Sequence, residues 1–333
     1  MYRVLITGAA GFIGYNLAQR LIHEGYEVVG IDNLNEYYDV NLKLMRLSRL
    51  HNAVNFEFVK GDICDAQFLV ELFERFEFDI VINLAAQVGV RYSLKEPIEY
   101  INTNIVGYVN LMEMCKNKNV KHFLYASSSS VYGANTEVPY NINCSTEKPL
   151  SLYAASKKTN ELIAYTYSHL YGIPTTGLRF FTVYGPWGRP DMAYFSFAVD
   201  IVKGKAIKLF NRGAMERDFT FIDDVVECIV RLINKPYERT CALAPSGKYE
   251  EHCPYQIFNI GSSKMISLDS LVTTVELCLG KKAKKEYVDM QKGDVLKTYA
   301  DTSNLIKKIH YSPDTEFNVG IAKFVAWLKE YYL

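Results

Sequence analysis

Three glycines near the N-terminus, Gly8, Gly11 and Gly14, follow an apolar run and form the pattern GxxGxxG. An amphipathic stretch begins at Phe12, and a second apolar run ends at Asp32, 18 residues beyond Gly14. Glycines at this spacing let the backbone and the N-terminus of a helix approach a pyrophosphate. The order strand, glycine-rich turn, helix, strand and acid therefore predicts a dinucleotide-binding unit. A glycine-rich turn that binds no nucleotide is the alternative.

The residue types around Asp32 favour one dinucleotide over the other. A carboxylate here accepts hydrogen bonds from the adenosine ribose hydroxyls and repels a 2′-phosphate. Asn33 and Leu34 come next, and no arginine is at hand to accommodate that phosphate. We therefore expect NAD rather than NADP. Asp62, which follows the third predicted strand, is a candidate for the adenine edge or a solvated turn residue.

Short apolar runs alternate with helical patterns through the first half of the chain. Runs that are apolar on both faces are typical of strands buried in a parallel sheet. We predict strands at 4–6, 28–31, 56–59, 80–84, 123–126 and 175–180, and helices at 12–23, 68–76, 99–116, 153–170 and 319–332. Ser151 is placed to cap the fourth of these helices, and Gly172 with Pro174 to end it.

This alternation predicts the α/β class, a doubly wound parallel sheet of the Rossmann type with a second, smaller α/β substrate domain. We expect the NAD-binding domain at 1–180, with the chain returning to it within 216–262. The nucleotide-sugar-binding part is expected to occupy 181–333 and to be interleaved with the first domain.

Composition excludes several classes of function. The 37 Lys and Arg residues balance the 37 Asp and Glu residues, which argues against nucleic acid as a partner. No apolar run approaches the ~20 residues of a membrane span, and the first residues lack the features of a signal peptide. The seven cysteines contain no CxxC pair and the six histidines no metal-ligand spacing. We expect no membrane partner, no metal and a cytoplasmic location.

Tyr153 and Lys157 are four residues apart on one predicted helix, so they share a face. Tyrosine has an ordinary pKa near 10 and needs a nearby cation to act as a base at neutral pH. Such pairs also occur by chance in a chain with 25 tyrosines. This one follows the fifth predicted strand and a hydroxyl-rich loop that begins at Ser127, which marks it as a catalytic candidate.

Together with Ser128, this arrangement resembles the extended short-chain dehydrogenase/reductases, specifically their nucleotide-sugar epimerases and dehydratases. Further matching segments lie at 84–86, 178–186, 217–224, 259–261 and 293–294. Two segments, 32–39 and 184–192, resemble those of UDP-glucuronate 4-epimerases, which interconvert UDP-glucuronate and UDP-galacturonate. The resemblance covers roughly residues 3 to 330. It implies an isomerase that works through a 4-keto sugar and returns the hydride to the opposite face of C4.

The resemblance also implies roles for single residues. Tyr153 is the general base at the C4 hydroxyl, Lys157 holds the nicotinamide ribose and lowers the pKa of Tyr153, and Ser128 hydrogen-bonds the C4 oxygen. NAD stays tightly bound, because the cycle has no net redox change. The implied cofactor contacts are Gly8, Gly11, Phe12, Ile13, Gly14, Asp32, Asn33, Asp62, Ile63, Leu84, Ala85, Ala86, Gln87, Asn104, Tyr153, Lys157 and Phe181.

The hydroxyl-rich loop bears on the substrate. Similar 4,6-dehydratases have an Asp-Glu pair where this chain has Ser129 and Ser130, so the resemblance counts against dehydration. The absence of a glutamate at the second position counts against decarboxylation as well. A 4-keto glucuronate is a β-keto acid that readily loses CO₂. We hypothesise that Ser128, Ser129, Ser130 and Thr182 hold the carboxylate in an orientation that prevents this loss.

Arg91, Arg189 and Arg217 are candidates for the UDP diphosphate, because the guanidinium fork matches phosphate geometry. Asp294 is a candidate for the UDP ribose. Gln291 stands where some UDP-galactose 4-epimerases have an arginine, which leaves open how the diphosphate contacts are shared. Trp187 is either a lid residue or a packing residue.

Two other functions remain open on the sequence. A 4-epimerase of a neutral UDP-hexose or a UDP-N-acetylhexosamine would share Tyr153, Lys157 and Ser128. A catalytically inactive NAD-binding sensor or scaffold is the alternative from another class. The resemblance implies a homodimer in which the helices at 99–116 and 153–170 pair as a four-helix bundle, and a helix face buried inside one subunit is the alternative. The expected setting is polysaccharide biosynthesis.

Overall fold

The computed structural model describes residues 2–135, 137–237, 240–243, 249–291 and 293–332. Its centre is a seven-stranded sheet in which every pairing is parallel, in the order β12-β6-β5-β4-β1-β2-β3. The strands are β1 (Arg3–Thr7), β2 (Glu27–Asp32), β3 (Phe56–Lys60), β4 (Ile80–Asn83), β5 (His122–Ser128), β6 (Thr175–Phe180), β7 (Thr182–Tyr184), β8 (Ala206–Leu209), β9 (Glu216–Phe221), β10 (Thr240–Leu243), β11 (Tyr249–His252), β12 (Tyr255–Ile260), β13 (Met265–Ser267) and β14 (Lys284–Tyr287).

Helices cover the sheet and build a second layer beside it. They are α1 (Phe12–His23), α2 (Val40–Leu50), α3 (Ala66–Arg75), α4 (Pro97–Ile101), α5 (Tyr108–Asn117), α6 (Leu152–Tyr171), α7 (Ala193–Val202), α8 (Ile222–Ile233), α9 (Leu268–Leu279), α10 (Ser303–Ile309) and α11 (Phe317–Tyr332). A π-helical turn, Asn102–Gly107, joins α4 to α5. None of the helices in the described ranges is long and apolar enough to cross a membrane.

The doubly wound architecture predicted from the apolar runs is confirmed. All six predicted strands form and pair in parallel. Five of them are buried on both faces of the sheet, as is typical of parallel strands, whereas β3 at the edge is only partly buried. Helix α6 begins where predicted, with the Ser151 side chain accepting a hydrogen bond from the Ala154 N–H. It ends at Gly172 in the left-handed conformation.

The second half of the chain contributes to both layers. Strand β12 joins the edge of the main sheet beside β6. Strands β7, β9 and β13 form a separate three-stranded sheet, and β8 pairs with β14. Helix α8 packs against α1, and α9 against both α7 and α11. This arrangement places the second layer beside the carboxyl ends of the main strands, where open parallel sheets bind ligands.

Candidate active site

A cleft of about 800 Å³ runs along the carboxyl ends of the parallel strands and into the second layer. With one exception, every residue that the sequence nominated for catalysis, cofactor or substrate lines it. The exception is Asn104. The cleft therefore brings together residues from Gly8 to Asp294.

The glycine-rich turn is shaped as a cradle that side chains would fill. Gly8 has φ +71°, and a Cβ built on it would lie 2.8 Å from the Ala85 nitrogen. A Cβ on Gly14 would lie 2.2 Å from the Gly8 carbonyl oxygen. Helix α1 begins after Gly11 with no side-chain cap, which leaves its first N–H groups available to an anion. The turn fits a dinucleotide pyrophosphate.

Asp32 closes β2 at the opposite end of the cradle. One carboxylate oxygen accepts a hydrogen bond from the Ala10 N–H at 3.1 Å, and the other accepts from the Leu34 N–H at 2.8 Å. Lys43, which the sequence analysis missed, places its ammonium 3.9 Å from the Asp32 carboxylate and lines the cleft. Asp62 accepts from the Cys64 N–H and the Asn33 side chain. This donor and acceptor set fits the adenosine end of NAD.

Asn104 lies behind the lining of the cleft. Its side chain is 2% exposed and does not line the cleft. The amide oxygen accepts from the Gln87 N–H, and the amide nitrogen donates to the Gln87 carbonyl and the Ser156 hydroxyl. With both ends of the amide occupied, Asn104 holds the loop after β4 against α6, and its contact with a cofactor stays a prediction.

The catalytic candidates meet where α6 faces the end of β5. Burial raises the pKa of the Tyr153 phenol, and a hydrogen bond with the Ser128 side chain and the charge of Arg189 oppose that rise. Burial lowers the pKa of the Lys157 ammonium to about 8, and this group donates to the Ala126 carbonyl at 2.8 Å. Ser128 and Arg189 thus lower the pKa of Tyr153 in this arrangement, and the effect of Lys157 on that pKa stays a prediction.

The serine loop is ordered by its own hydrogen bonds. The Ser128 hydroxyl accepts from the Ser130 N–H at 3.2 Å and donates to the Ser130 hydroxyl at 3.1 Å. Ser129 begins a single 3₁₀ turn that ends at Tyr132. The loop therefore presents hydroxyl groups to the cleft beside Tyr153. Positions 128–130 are all serine, so they offer the cleft no carboxylic acid.

Beneath this loop lies a buried ion pair that the sequence analysis missed. Arg179 on β6 donates to both carboxylate oxygens of Glu161 on α6, at 2.8 and 3.0 Å. Glu161 also accepts from the Ser127 hydroxyl at 2.7 Å, one residue before Ser128. Arg179 further donates to the Tyr132 hydroxyl at 3.0 Å. The pair ties together the two elements that bear Tyr153 and Ser128.

The three arginines that the sequence suggests for the diphosphate lie at two different places in the cleft. Arg217 donates to the carbonyls of Glu216, Val295 and Leu296, and burial lowers its pKa. Arg91 pairs with Asp294 at 3.1 Å. The Arg91 guanidinium also lies 4.4 Å from the centre of the Phe210 ring.

Arg189 belongs to the second site. It donates to both carboxylate oxygens of Asp191, at 3.0 and 2.7 Å. Burial acts against its charge, but the Asp191 carboxylate raises the pKa of Arg189 overall. Its charge lies close to Tyr153 and Tyr37. Arg189 therefore lies at the catalytic end of the cleft, and which of the three arginines binds the diphosphate stays a prediction.

Trp187 packs inside the protein. Its ring centre lies 5.7 Å from that of Tyr15 and 5.2 Å from that of Trp327, and the Arg49 guanidinium lies over it at 5.2 Å. The Trp187 side chain is absent from the lining of the cleft among the described residues. Of the two roles considered for it, the geometry supports packing.

Comparison with known proteins agrees with this geometry. The model of the NAD dependent epimerase/dehydratase family matches residues 4–261. Protein CapI of Staphylococcus aureus is 48% identical over 332 residues, which are 99% of each chain. UDP-glucuronate 4-epimerase 3 of Arabidopsis thaliana is 46% identical over 99% of this chain and 77% of its own length.

A solved structure extends the comparison to the fold. UDP-glucuronic acid 4-epimerase from Bacillus cereus, in complex with UDP-glucuronic acid and NAD, superposes with a TM-score of 0.89 at 31% identity. The match covers 99% of this chain and all of that one.

Proposed function

Because the chain belongs to the NAD dependent epimerase/dehydratase family, we propose that it is an isomerase that inverts C4 of a UDP-sugar. We propose UDP-glucuronate and UDP-galacturonate as its substrate and product. The observation that carries this proposal is the cleft itself, where Tyr153, Lys157 and the serine loop meet beside a cradle fitted to a dinucleotide. Relatives that bear the name UDP-glucuronate 4-epimerase support the choice of sugar.

In this proposal Tyr153 removes the proton of the C4 hydroxyl and later returns it. Ser128 hydrogen-bonds Tyr153, so it is placed to hold the C4 oxygen at the same point. Lys157 orients the nicotinamide ribose from its position beside the Ala126 carbonyl. Bound NAD supplies a two-electron acceptor that is restored at the end of each cycle. The 4-keto sugar turns between the two halves of the reaction, so that both faces of C4 are reached.

The serine loop supports a carboxylate-bearing sugar. We assign the carboxylate to Ser129, Ser130 and Thr182, which line the cleft beside Tyr153 and offer neutral hydroxyl donors. By holding the carboxylate, such donors can fix the ring conformation in which the C5–C6 bond lies close to the plane of the C4 carbonyl, so that the bond to the carboxylate does not align with the π system of the ketone. The 4-keto acid then keeps its CO₂. Ser129 and Ser130 carry no acidic proton with which to eliminate water.

The two arginine sites divide the rest of the substrate between them. We assign the diphosphate to Arg91 and Arg217, and the UDP ribose to Asp294 in the same region. Arg189 is assigned to the sugar end, since its charge already acts on Tyr153. Separate cations at the two ends would fix the nucleotide while the keto sugar turns.

The test is to incubate the purified protein with UDP-glucuronate, without added NAD, and to follow the sugar protons by NMR. Appearance of UDP-galacturonate without a pentose product supports the epimerase, the retained NAD and the held carboxylate. Epimerisation of UDP-glucose or UDP-N-acetylglucosamine, with UDP-glucuronate untouched, would favour the neutral-sugar alternative. No turnover of any UDP-sugar would favour the inactive sensor or scaffold.

We further propose that the protein works as a homodimer in the cytoplasm, in polysaccharide biosynthesis. Helices α4, α5 and α6 pack together with the π-helical turn between the first two, and this group leaves Ile98, Val106, Leu162, Tyr165 and Leu170 exposed. Large apolar side chains clustered on one set of helices are typical of an interface. A second copy that presents the same helices would complete a four-helix bundle and cover these residues.

A further inference from the structure

Arg46, on helix α2, is buried without a carboxylate. Its side chain is 0% exposed. Within the part of the chain that the structure describes, no acidic residue forms a salt bridge with it. One terminal nitrogen donates to the Ala10 carbonyl at 2.8 Å and to the Tyr38 hydroxyl at 2.8 Å. The other donates to the carbonyls of Trp187 at 2.6 Å and Gly188 at 3.0 Å.

These acceptors belong to two segments that border the cleft and are far apart in sequence. Ala10 lies inside the glycine-rich turn, and its own N–H donates to Asp32. Of the two peptide groups that flank Ala10, the first is thus held by the acid of the adenosine site and the second by Arg46. Trp187 and Gly188 begin a segment, 187–191, that ends in the Arg189–Asp191 pair. We call this segment the sugar-side loop.

The sugar-side loop has little freedom to shift independently. Trp187 has φ +61°, in the region that favours glycine. A Cβ on Gly188 would lie 1.8 Å from the Tyr194 hydroxyl oxygen, so the backbone runs against that side chain. Because Arg46 holds two successive carbonyls of this loop, a movement of the glycine-rich turn is transmitted to the loop through one rigid, planar group.

We propose that Arg46 is a positioning residue that couples cofactor binding to the placement of the sugar-side loop. A buried cation without a counter-ion is costly to a protein. A dinucleotide pyrophosphate in the turn would bring negative charge within one peptide group of Arg46. NAD therefore stabilises the arrangement that sets Arg189, and by linkage the ordered loop strengthens NAD binding. This proposal rests on the proposed cofactor but not on the identity of the sugar.

The fluorescence of Trp187 can report the position of the loop. The chain has two tryptophans, so Trp327→Phe leaves Trp187 as the only emitter. Because the Trp187 side chain does not line the cleft, oxidised NAD would not contact it. NAD would change the emission of Trp187 only by changing the conformation of the surrounding protein. In this background we expect a reproducible shift in the emission of Trp187 between the NAD-loaded and the NAD-stripped protein. An identical emission in the two states would overturn the proposal.

Two variants at position 46 separate charge from geometry. Arg46→Lys keeps the cation but cannot reach all four acceptors, so we expect NAD affinity within about threefold of the parent and a Trp187 response reduced by half or more. Arg46→Met also removes the charge, so we expect about tenfold weaker NAD binding as well. Arg49→Lys is the matched control, since Arg49 contacts the Trp187 ring without bonding to the turn, and there the response should persist.

The proposal is refuted if both Arg46 variants keep the full Trp187 response and the NAD affinity of the parent, whatever their stability. If neither variant folds, the Trp327→Phe protein still tests the proposal, because an identical Trp187 emission in the NAD-loaded and the NAD-stripped forms overturns it. No sugar enters these measurements. A failure here is therefore distinct from a failure to epimerise UDP-glucuronate, which the NMR experiment detects.

Discussion

Replacing Glu161 by Gln keeps the size of the side chain but removes the negative charge from a buried ion pair. Glu161 is 2% exposed and accepts four hydrogen bonds: one from Ser127, two from Arg179 and one from Lys158 at 3.3 Å. A glutamine amide nitrogen in the same place would point a donor at other donors. The Arg179 guanidinium would then be left in the interior without a carboxylate.

Breaking a buried pair by removing one partner costs about 3 to 5 kcal/mol, because an uncompensated charge remains inside. We expect Glu161→Gln to lower the free energy of unfolding by that amount, measured by urea denaturation followed by circular dichroism. The matched control is Glu227→Gln. Glu227 accepts from Arg20 at 2.7 Å and from Arg231 at 2.5 Å, but both arginines reach solvent, so its loss should cost less than about 1 kcal/mol.

A double variant tests whether the cost arises from the pair. Arg179→Met alone should destabilise the protein strongly, but it should cost less in the Glu161→Gln background, with a coupling energy of about 1 to 3 kcal/mol. Equal losses for Glu161→Gln and Glu227→Gln, or strictly additive losses at positions 161 and 179, would contradict the view that this pair joins α6 to the sheet.

Three further results are expected. The pKa of Lys157 is lowered to about 8, so between that value and 10.5 the unfolded chain binds more protons than the folded one. The unfolding free energy of NAD-free wild type, relative to Lys157→Met, should therefore rise by about 2 kcal/mol from about pH 7.5 to about pH 10, and a pH-independent difference would refute this. Ser129→Ala combined with Thr182→Ala should raise the KM for UDP-glucuronate about tenfold or more and increase the share of turnovers that lose CO₂, and unchanged values would exclude the proposed carboxylate contacts. If the protein is the homodimer proposed above, Leu162→Glu should convert it to a monomer in light scattering, and an unchanged dimer mass would place the interface elsewhere.

The sheet could be predicted because its signals are local. A strand buried on both faces is an uninterrupted apolar run, and the turn after β1 must be glycine where a Cβ would lie 2.2 Å from a carbonyl oxygen. The capping of α6 by Ser151 and its end at Gly172 are likewise decided within a few residues. Each of these features depends on neighbours in sequence.

Helix α2 was missed because its core-facing positions include charged residues. The buried residues of α2 are Leu42, Leu47 and Leu50 together with Lys43 and Arg46. The two charged residues interrupt the apolar stripe by which an amphipathic helix is recognised in a sequence. A signal was present at its start. Asp39 caps the helix by accepting a hydrogen bond from the Asn41 N–H, and acids at this position are typical of a helix N-terminus.

The use of each arginine could not be predicted, because it depends on acceptors that the fold brings from elsewhere. Arg46 binds carbonyls 141 and 142 residues away, whereas Arg189 binds a carboxylate two residues along. Since carbonyls carry no net charge, Arg46 keeps a positive charge that a bound anion can stabilise, whereas the charge of Arg189 is already paired. In the sequence, nothing distinguishes the charge of Arg46 from that of Arg189. Only the fold places the unpaired charge of Arg46 next to the glycine-rich turn, where a bound dinucleotide can stabilise it. The coupling proposed for Arg46 therefore depends on NAD.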